Sequence, residues 1–504
     1  MPDTNVKKLA LVILDGWGIG QKNNTNPLYT ANLPNLAQIK SFFPCLSLQA
    51  GGLAVGLPWN EEGNSEIGHL TISAGRIVYQ SVAQIDTLIN NGSFLKNPAL
   101  LKAFEVARQR GSSVCFSGLL GTGITHSSLK HLLTLIGMAE RFGINYKLHL
   151  FTDGRDGPPK EGLKLLAELP EEKIGSISGR FYAMDRDGHL DRTSLAFKAM
   201  TSEDGISDSP SDYFRKVYSS GTTDEFIRPA SFGKNLSINA SDSIIFFNFR
   251  KDRMKQISAM FRKSFPETEM VSFAEYEPMN GIPAAFNLET IVNPLPKILA
   301  DAGLVQLRVA ESEKKAHVTY FFNGEEEEPF PNEFRVIIPS RKVAHHDQFP
   351  EMMADEITTR VTAAIEERSY GFILVNYANP DIIAHTGNFD ATVKAAEIVD
   401  REIGLIADAC LRTGTILVIT SDHGNAEQLI NSQTGERDTK HNANPVPLIV
   451  LDAPFKRTRG AEEIGENENA IVGSLCDIAP TILKLMSIRK PAEMTGQDLT
   501  SYLK

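Results

Sequence analysis

In residues 7–20, KKLALVILDGWGIG, an aliphatic run stops abruptly at Asp15 and Gly16. Such a run predicts a buried parallel strand that ends in a loop. The same pattern recurs in YGFILVNYANPDIIAHTG at 370–387 and in GTILVITSDHGNAEQ at 414–428. Between these two segments, ATVKAAEIVDREIGLIADACL has its apolar residues at helical spacing. Strands alternating with helices predict an α/β fold with a doubly wound sheet.

These three strands come from opposite ends of the chain, which predicts that a second domain is inserted between them. The middle of the chain contains further strand-like runs: VCFSGLLG, NYKLHLFTDG, IGSISGRFYAMD and DSIIFFNFRKDR. With the intervening helices, they predict a second α/β domain. We place the first domain at 1–79 and 290–504 and the inserted domain at 80–289. The EEEE run at 325–328 is interpreted as a solvated turn between strands VTYFFNG and FRVIIPS.

The composition of the 504 residues, 42% hydrophobic and 22% charged, is that of an ordinary soluble protein. A formal net charge of -11 argues against general affinity for nucleic acid or anionic membranes. The four cysteines form no CxxC pair, which favours free thiols in a reducing compartment. We also find no segment that predicts a membrane span. The expected location is the cytoplasm.

Acidic and histidine residues follow the predicted strands, where ligands gather in α/β sheets. Asp381 and His385 are four residues apart, a spacing that puts both side chains on one face of a helical turn. Mixed carboxylate and imidazole ligands suit manganese or zinc better than calcium or magnesium. Six carboxylate and imidazole side chains and one hydroxyl make seven donors, which suffice for two ions that act on a phosphoryl group. The candidate side-chain ligands are Asp15, Asp381, His385, Asp422, His423 and His441.

Each of these residues alone also fits a structural role. A single Asp after a strand is ordinarily a turn residue or a helix cap, and SDHG is compatible with a capped turn. A DxxxH pair is a weak signal by itself. A metal site is favoured because all of these groups fall at the ends of buried strands in one predicted sheet.

The candidate nucleophile is Ser65 in EEGNSEIGHLTISAGR, residues 61–76. The stretch SEIGHLTI predicts a helix, and a serine at a helix N-terminus lies in positive potential that favours an alkoxide and a phosphate. A neighbouring metal would make the hydroxyl a stronger nucleophile. The alternative is that Ser65 only caps the helix, with Glu66 in the first turn.

Arginines in the middle of the chain occur beside acidic residues and follow predicted strands. Guanidinium groups bind carboxylate and phosphate in bidentate fashion, so the cluster suits a phosphorylated organic acid. Structural ion pairs are the alternative. Asp156 is also a candidate proton-transfer group. The residues are Arg155, Asp156, Arg186, Arg192, Arg250 and Arg253.

Over essentially its full length, the sequence resembles the cofactor-independent phosphoglycerate mutases. The resemblance rests on motifs in the same order as in that family: LDGWG, GNSEIGH, HSSLKH, FTDGRD, YAMDRD, NFRKDR, AESEKKAHVTYFF, NPDIIAHTG, SDHGNAEQ and PAEMTGQDL. A match confined to the Asp and His groups would indicate only the wider alkaline-phosphatase superfamily, which includes phosphopentomutases and sulfatases.

The resemblance implies an alkaline-phosphatase-like domain that binds two divalent metal ions, with manganese as our first choice. One ion would be held by Asp381, His385 and His441, and the other by Asp15, Ser65, Asp422 and His423. Lys314 matches the family lysine that contacts the transferring phosphoryl group. The inserted domain would bind the substrate through His126, Arg155, Asp156, Arg186, Arg192, Arg250 and Arg253.

The implied reaction interconverts 3-phosphoglycerate and 2-phosphoglycerate through a phosphoserine on Ser65, with Asp156 moving the proton. It needs no bisphosphoglycerate, and the family pattern implies a monomer. Two alternatives stay open: a phosphomonoesterase or phosphopentomutase on the same metal site, and a metal-binding protein without catalysis. The sequence departs from the family pattern at His189, Leu190, Lys251 and Lys315.

Overall fold

The computed structural model describes residues 6–59, 61–79, 81–123, 125–206, 208–286, 291–343, 345–431 and 435–504. The chain divides into two compact units. Unit 1 comprises Met1–Tyr79 and Thr290–Lys504, and unit 2 comprises Gln80–Glu289. Each unit contains a β-sheet with helices, so the predicted α/β fold with an inserted second α/β domain is confirmed.

The strands are numbered in chain order. They are β1 (Leu9–Leu14), β2 (Cys45–Gln49), β3 (Val114–Leu120), β4 (Tyr146–Thr152), β5 (Ile174–Gly179), β6 (Ala230–Ser231), β7 (Ser243–Phe246), β8 (Glu269–Ser272), β9 (Gln306–Glu311), β10 (Glu333–Ile338), β11 (Phe372–Tyr377), β12 (Ile416–Thr420), β13 (Val446–Leu451) and β14 (Ile471–Ser474).

The α-helices are numbered in the same way. They are α1 (Pro27–Thr30), α2 (Pro34–Phe42), α3 (Ser65–Ala74), α4 (Ser81–Asn90), α5 (Pro98–Arg110), α6 (Leu129–Phe142), α7 (Gly162–Leu166), α8 (Arg180–Ala183), α9 (Leu190–Thr201), α10 (Pro210–Ser219), α11 (Lys255–Ser264), α12 (Leu295–Asp301), α13 (Ala354–Glu367), α14 (Asn379–Ala384), α15 (Phe389–Thr413), α16 (Ala461–Asn469) and α17 (Ile478–Leu485). In the part of the chain that the structure describes, no helix combines the length and the apolar character that a membrane crossing requires.

The sheet of unit 1 has the strand order β10-β9-β11-β1-β12-β13-β2-β14. Strand β1 lies at its centre and runs parallel to both β11 and β12. Ile13 is in register with Asn376 on one side and with Thr420 on the other. The carboxyl ends of the three strands quoted above therefore lie side by side, which brings the loops after them to one edge of the sheet.

Strand β1 is apolar on both faces because helices cover both sides of the sheet. Leu9, Leu11 and Ile13 enter one core together with residues of α3, α12 and α17. Ala10, Val12 and Leu14 enter the opposite core, which α13 and α15 complete. This double burial explains why the strand reads as a continuous aliphatic run rather than as an alternating one.

Asp400 on α15 caps the beginning of α2, although the two lie far apart in the sequence. Its carboxylate accepts hydrogen bonds from the backbone N–H of Leu36 at 2.7 Å and of Asn35 at 3.0 Å. Leu33 precedes α2 and has no side chain able to cap it. Asp400 supplies the missing acceptor and a negative charge at the positive end of the helix.

Replacing Asp400 with asparagine is expected to destabilise unit 1 by about 1–3 kcal/mol, because an amide N–H₂ would face backbone N–H donors. For a domain of this size, the melting temperature would fall by about 2–4 °C per kcal/mol. Asp408→Asn, at an exposed position of the same helix, is the matched control and should shift it by about 1 °C or less. Equal shifts for the two variants would show that the cap contributes nothing.

The sheet of unit 2 has the strand order β6-β5-β4-β3-β7-β8. Its strands pair in parallel except β6, which is antiparallel to β5. Strands β4 and β5 are neighbours, and Thr152 at the end of β4 is in register with Gly179 at the end of β5. This register places residues 153 and 180 beside each other.

The segment VTYFFNG does not form the predicted strand. His317–Phe321 form a π-helical turn instead, and only the second predicted strand of the pair exists, as β10. Val318 and Phe322 are fully buried in the core on the α3 side of the sheet. This packing overrides the strand preference of β-branched and aromatic residues. The EEEE run at 325–328 is exposed, as predicted.

Candidate functional site

The loops after the three central strands of unit 1 carry the first group of candidate residues. Asp15 directly follows β1 and is fully buried. Asp422 and His423 follow β12, and neither is exposed. Asp381 lies in α14, which begins two residues after β11. The register of β11, β1 and β12 thus brings three carboxylates and one imidazole together.

Ser65 is the first residue of α3 and is 7% exposed. Asn64 caps this helix by accepting a hydrogen bond from the backbone N–H of Ile67 at 3.0 Å. The Ser65 hydroxyl is therefore not needed as a cap. It donates to Asp15 Oδ1 at 3.1 Å and lies 2.9 Å from His423 Nε2. This hydroxyl faces the buried carboxylates from the positive end of a helix.

Lys314 lies at the centre of this cluster and is 3% exposed. Its ammonium donates to Asp15 Oδ1 at 2.6 Å, to Asp381 Oδ2 at 2.7 Å and to the Ser65 hydroxyl at 2.9 Å. Burial opposes the charged form, but the nearby carboxylates outweigh it and raise the pKa of Lys314. The lysine is therefore a permanent cation beside the Ser65 oxygen.

His385 and His441 form a second group around Asp381. Their Nδ1 atoms donate to the carbonyl oxygens of Thr439 at 2.8 Å and Gly63 at 3.0 Å. Because a carbonyl only accepts, these bonds place the proton of each neutral imidazole on Nδ1, so that each Nε2 presents a lone pair. The two Nε2 atoms lie 3.0 Å apart, and they are 3.2 and 3.4 Å from Asp381 Oδ1. Three lone-pair donors that converge in this way fit a cation between them.

A further compact group consists of Asp15, Asp422 and His423, whose potential ligand atoms lie within 4.8 Å of one another. Asp422 Oδ2 is buried and has no hydrogen bond of good geometry among the described residues, although His69 Nδ1 lies 3.2 Å from it. The same distance limit is met by Asp381, His423 and His441, so His423 lies within reach of both groups. An orphaned buried carboxylate oxygen is costly unless a cation balances it.

The charges of the cluster support the same conclusion. Asp15, Asp381 and Asp422 outnumber the single ammonium of Lys314, which leaves a net charge of -2 when the imidazoles are neutral. Oxygen and nitrogen donors with this charge fit divalent cations of the manganese and zinc type. The residues present therefore fit the metal binding that the sequence predicts.

Several residues that support this cluster were missed from the sequence. Asn425 donates to Asp381 Oδ1 at 2.8 Å, and Asn376 donates to Asp15 Oδ2 at 2.7 Å. Glu427 is buried and accepts from the backbone N–H groups of Gly18 and Asn425, both at 2.9 Å. Asn425 and Glu427 stand within SDHGNAEQ, so the motif itself contained the signal.

In unit 2, Asp156 and His126 lie beside each other, with His126 Nε2 3.3 Å from Asp156 Oδ2. His126 is buried, whereas the Asp156 side chain is 28% exposed. The adjacent His126 and Arg180 hold the pKa of Asp156 well below its ordinary value, although burial opposes the charged form. Burial lowers the pKa of His126, and the positive charges of Arg180 and Arg250 lower it further.

Unit 2 also contains a pocket of about 300 Å³ whose lining includes five arginines and three carboxylates. This excess of positive charge suits an anion. Phe181 and Phe226 also line the pocket, and the Arg192 guanidinium lies 4.0 Å from the centre of the Phe181 ring. The arginines are Arg155, Arg180, Arg186, Arg192 and Arg253.

The structure does not place every predicted arginine as the sequence suggested. Arg192 lies on α9 rather than in a loop after a strand, because the predicted strand IGSISGRFYAMD ends at Gly179 and helices follow. Arg250 is not among the lining residues of the pocket. It contacts Asp252 at 3.1 Å, and Asp252 also contacts Arg186 at 3.0 Å.

Comparison with known proteins agrees with these features. The sequence profile of the metalloenzyme superfamily matches residues 7–490. A Thermomicrobium roseum protein named 2,3-bisphosphoglycerate-independent phosphoglycerate mutase is 43% identical, with 97% of each chain covered. Methanosarcina barkeri has a protein of the same name, numbered 1, that is 43% identical over 98% of each chain.

A solved structure supports the fold. The crystal structure of Leishmania mexicana phosphoglycerate mutase at low cobalt concentration matches with a TM-score of 0.67. The match covers 98% of both chains at 23% identity. The resemblance noted in the sequence is confirmed by the relatives that share more than two fifths of their residues with this chain. The chain belongs to the family of 2,3-bisphosphoglycerate-independent phosphoglycerate mutases, enzymes of the metalloenzyme superfamily.

Proposed function

We propose that the protein interconverts 3-phosphoglycerate and 2-phosphoglycerate through a phosphoserine on Ser65, without bisphosphoglycerate. The names of its relatives support the reaction. The observation that carries the phosphoserine route is the position of the Ser65 hydroxyl. It lies at the start of α3, within 3.1 Å of Asp15, His423 and Lys314. The proposed enzyme is a monomer that acts on a small-molecule substrate.

In this proposal, the Ser65 oxygen attacks the phosphorus, the bond between phosphorus and the glycerate oxygen breaks, and that oxygen takes up a proton. The other glycerate hydroxyl then gives up its proton and attacks the phosphoserine, and the bond to the Ser65 oxygen breaks. Asp15 Oδ1 accepts from the hydroxyl at 3.1 Å and would take its proton, and His423 Nε2, 2.9 Å from the same oxygen, helps to orient it. The Lys314 ammonium, 2.9 Å from the same oxygen, offsets negative charge on the phosphoryl group. All four groups are held by buried contacts, which favours a preorganised site.

Two divalent cations, with manganese as first choice, complete the proposed site. Bound there, they would lower the pKa of the serine hydroxyl and neutralise phosphoryl oxygens. The net charge of -2 with neutral imidazoles, and the two Nε2 atoms that converge on Asp381, support their binding. The proposed ligands of one cation are Asp381, His385 and His441, and those of the other are Asp15, Ser65, Asp422 and His423.

Unit 1 is accordingly proposed as the phosphatase-like metal domain and unit 2 as the substrate-binding domain. The guanidinium groups of unit 2 would hold the carboxylate and phosphate of the substrate. Asp156, ionised and partly exposed, would move the proton between the two glycerate hydroxyls. The proposed contacts are His126, Arg155, Asp156, Arg186, Arg192, Arg250 and Arg253.

No side chain at the departures from the family pattern belongs to the buried cluster, although Lys315 directly follows Lys314. His189, Leu190 and Lys315 are exposed, and Lys251 is half-buried. None of the proposed ligands is replaced at these positions. We therefore expect the reaction of the family to be retained.

A mutase assay without bisphosphoglycerate, combined with metal analysis, tests this proposal. Protein stripped with a chelator should be inactive, and adding Mn²⁺ should restore conversion of 3-phosphoglycerate to 2-phosphoglycerate, followed by phosphorus NMR. Release of inorganic phosphate alone would indicate a phosphomonoesterase. Faster turnover of ribose phosphates would indicate a phosphopentomutase, and no turnover with Mn²⁺ bound would indicate a protein without catalysis. Each of these three results contradicts the proposal.

A further inference from the structure

Arg180 occupies a position in unit 2 that the register of two strands determines. Thr152 at the end of β4 pairs with Gly179 at the end of β5. Asp153 follows β4 and Arg180 follows β5, so the two side chains meet at neighbouring strand ends. Arg180 is 3% exposed and Asp153 is fully buried. A buried guanidinium requires acceptors that satisfy its donors.

The contacts of Arg180 connect it to the candidate proton-transfer pair. Its Nη1 donates to Asp153 Oδ1 and to Asp156 Oδ2, each at 2.5 Å, and its Nη2 contacts His126 Nε2 at 2.9 Å. Asp153 Oδ1 also accepts from the backbone N–H of Asp156 at 3.1 Å. One guanidinium thus joins a buried anchor to both members of the pair.

The contact with His126 determines where the imidazole proton lies. A guanidinium group has donors but no acceptor, so His126 Nε2 accepts and the proton resides on Nδ1. Nδ1 is buried and has no hydrogen-bond partner among the described residues. It is therefore an available donor. His126 Nε2 also lies 3.3 Å from Asp156 Oδ2, so it donates to that carboxylate only when the imidazole gains a second proton. While His126 is neutral, Arg180 donates to Asp156 Oδ2, and the ionised carboxylate can accept a proton from substrate.

We propose that Arg180 is the positioning residue of the Asp156–His126 pair: it keeps Asp156 ionised and holds His126 as the neutral Nδ1–H tautomer. This inference rests on the proposed function and deepens it. Arg180 also lines the pocket of unit 2, but its guanidinium contacts Asp153, Asp156 and His126, and we do not count it among the arginines that hold the substrate. Its removal should change the protonation of both neighbours as well as their positions.

The direction of the pH effect follows from the charges around the pair. Removing the positive charge of Arg180 should raise the pKa values of Asp156 and His126 towards their ordinary values, about 3.9 and 6.5. Both changes shift the acidic limb of the kcat profile to higher pH. Besides Arg180, the charged groups that face the pair are Asp153, Arg250 and Asp252.

Two substitutions test this role in the Mn²⁺-loaded protein. Arg180→Gln is expected to lower kcat about 100-fold while KM changes less than about threefold, and to shift the acidic limb upwards. Arg180→Lys retains the charge, but an ammonium lacks the planar, forked donors of a guanidinium. Its kcat should therefore fall by about 10-fold, with a smaller shift of the acidic limb.

Arg262→Gln is the matched control. Its guanidinium donates to the carbonyls of Pro266 and Thr268 in the same unit. It should lower stability and leave the pH profile unchanged.

A second measurement does not depend on turnover. Nitrogen-15 NMR of labelled histidines, in protein supplied with diamagnetic Mg²⁺, reports the tautomer of each imidazole, and a His126→Asn spectrum assigns the signal. The wild-type signal should be that of the neutral Nδ1–H form. In Arg180→Lys, and in Arg180→Gln if it folds, the signal should become a mixture of forms that titrates at higher pH.

The possible failures can be separated. If the wild-type protein is an active mutase and the Arg180 variants keep its kcat and pH profile, the role of Arg180 is disproved and the proposed function stands. A change in KM alone would make Arg180 a substrate contact and would overturn the inference. An Nε2–H tautomer in the wild-type spectrum would also overturn it. Absence of mutase activity in the wild-type protein would instead refute the proposed function.

Discussion

Replacing Ser65 with alanine is expected to lower kcat for phosphoglycerate interconversion by about 10⁴-fold or more, because the nucleophile of the proposed route is lost. The fold should survive, since Asn64 rather than Ser65 caps α3. Mn²⁺ should still bind through the remaining carboxylates and imidazoles, with weaker affinity. Acid-quenched wild-type enzyme should contain phosphoserine at position 65, detected by mass spectrometry, and the variant should contain none.

Ser73→Ala is the matched control for this experiment. Ser73 is buried in the same helix, but its hydroxyl donates to the carbonyl of Phe322 at 2.5 Å and faces none of the carboxylates of the cluster. Loss of the Ser73 hydroxyl should lower the free energy of unfolding by about 1 kcal/mol and leave kcat within about twofold of the wild-type value. Mutase activity above about 1% in a metal-loaded Ser65→Ala protein would exclude the phosphoserine route.

Replacing Lys314 with methionine is expected to make the stability of unit 1 strongly dependent on divalent metal. Without the ammonium, Asp15, Asp381 and Asp422 remain buried with no lysine to balance them. Removing one partner of a buried ion pair costs about 3–5 kcal/mol. A cation at a free concentration of about 100 to 1,000 times its Kd stabilises the folded state by about 2.7–4.1 kcal/mol. kcat should fall about 10²–10³-fold even with metal bound, because charge on the phosphoryl group is less well offset.

The measurement is thermal unfolding with chelator and with Mn²⁺. Lys147→Met is the control, because Lys147 and Asp242 form a single buried ion pair at 2.8 Å in unit 2. Both variants should be destabilised in chelator, but only Lys314→Met should show a larger increase in melting temperature with Mn²⁺ than the wild-type protein. Equal increases for the two variants would show that Lys314 and the metal do not share the same carboxylates.

Much of the fold follows from the sequence because the central strands are buried on both faces. β1, β11 and β12 read as largely apolar runs with acidic residues shortly after them, so their type and approximate bounds were predictable. α15 was predictable from its long amphipathic pattern. The side chains at the strand ends could be grouped because parallel strands share an edge.

What could not be predicted depends on pairing between distant segments. Arg180 was assigned to a strand, and its meeting with Asp153 depends on the register of β4 and β5, which one sequence does not reveal. The π-helical turn at His317–Phe321 formed against the strand preference of its residues, because Val318 is buried in the core. Lys314 was singled out only by resemblance, since no sequence spacing indicates that its ammonium reaches Asp15 and Asp381.

We propose that strand ends from opposite parts of the chain hold two cations beside the Ser65 hydroxyl. Anomalous X-ray diffraction from crystals grown with Mn²⁺ would locate these cations. We predict two manganese peaks in unit 1, one among Asp381, His385 and His441 and the other among Asp15, Ser65, Asp422 and His423. A map with no manganese among these side chains, from protein that is active with Mn²⁺, would contradict the claim.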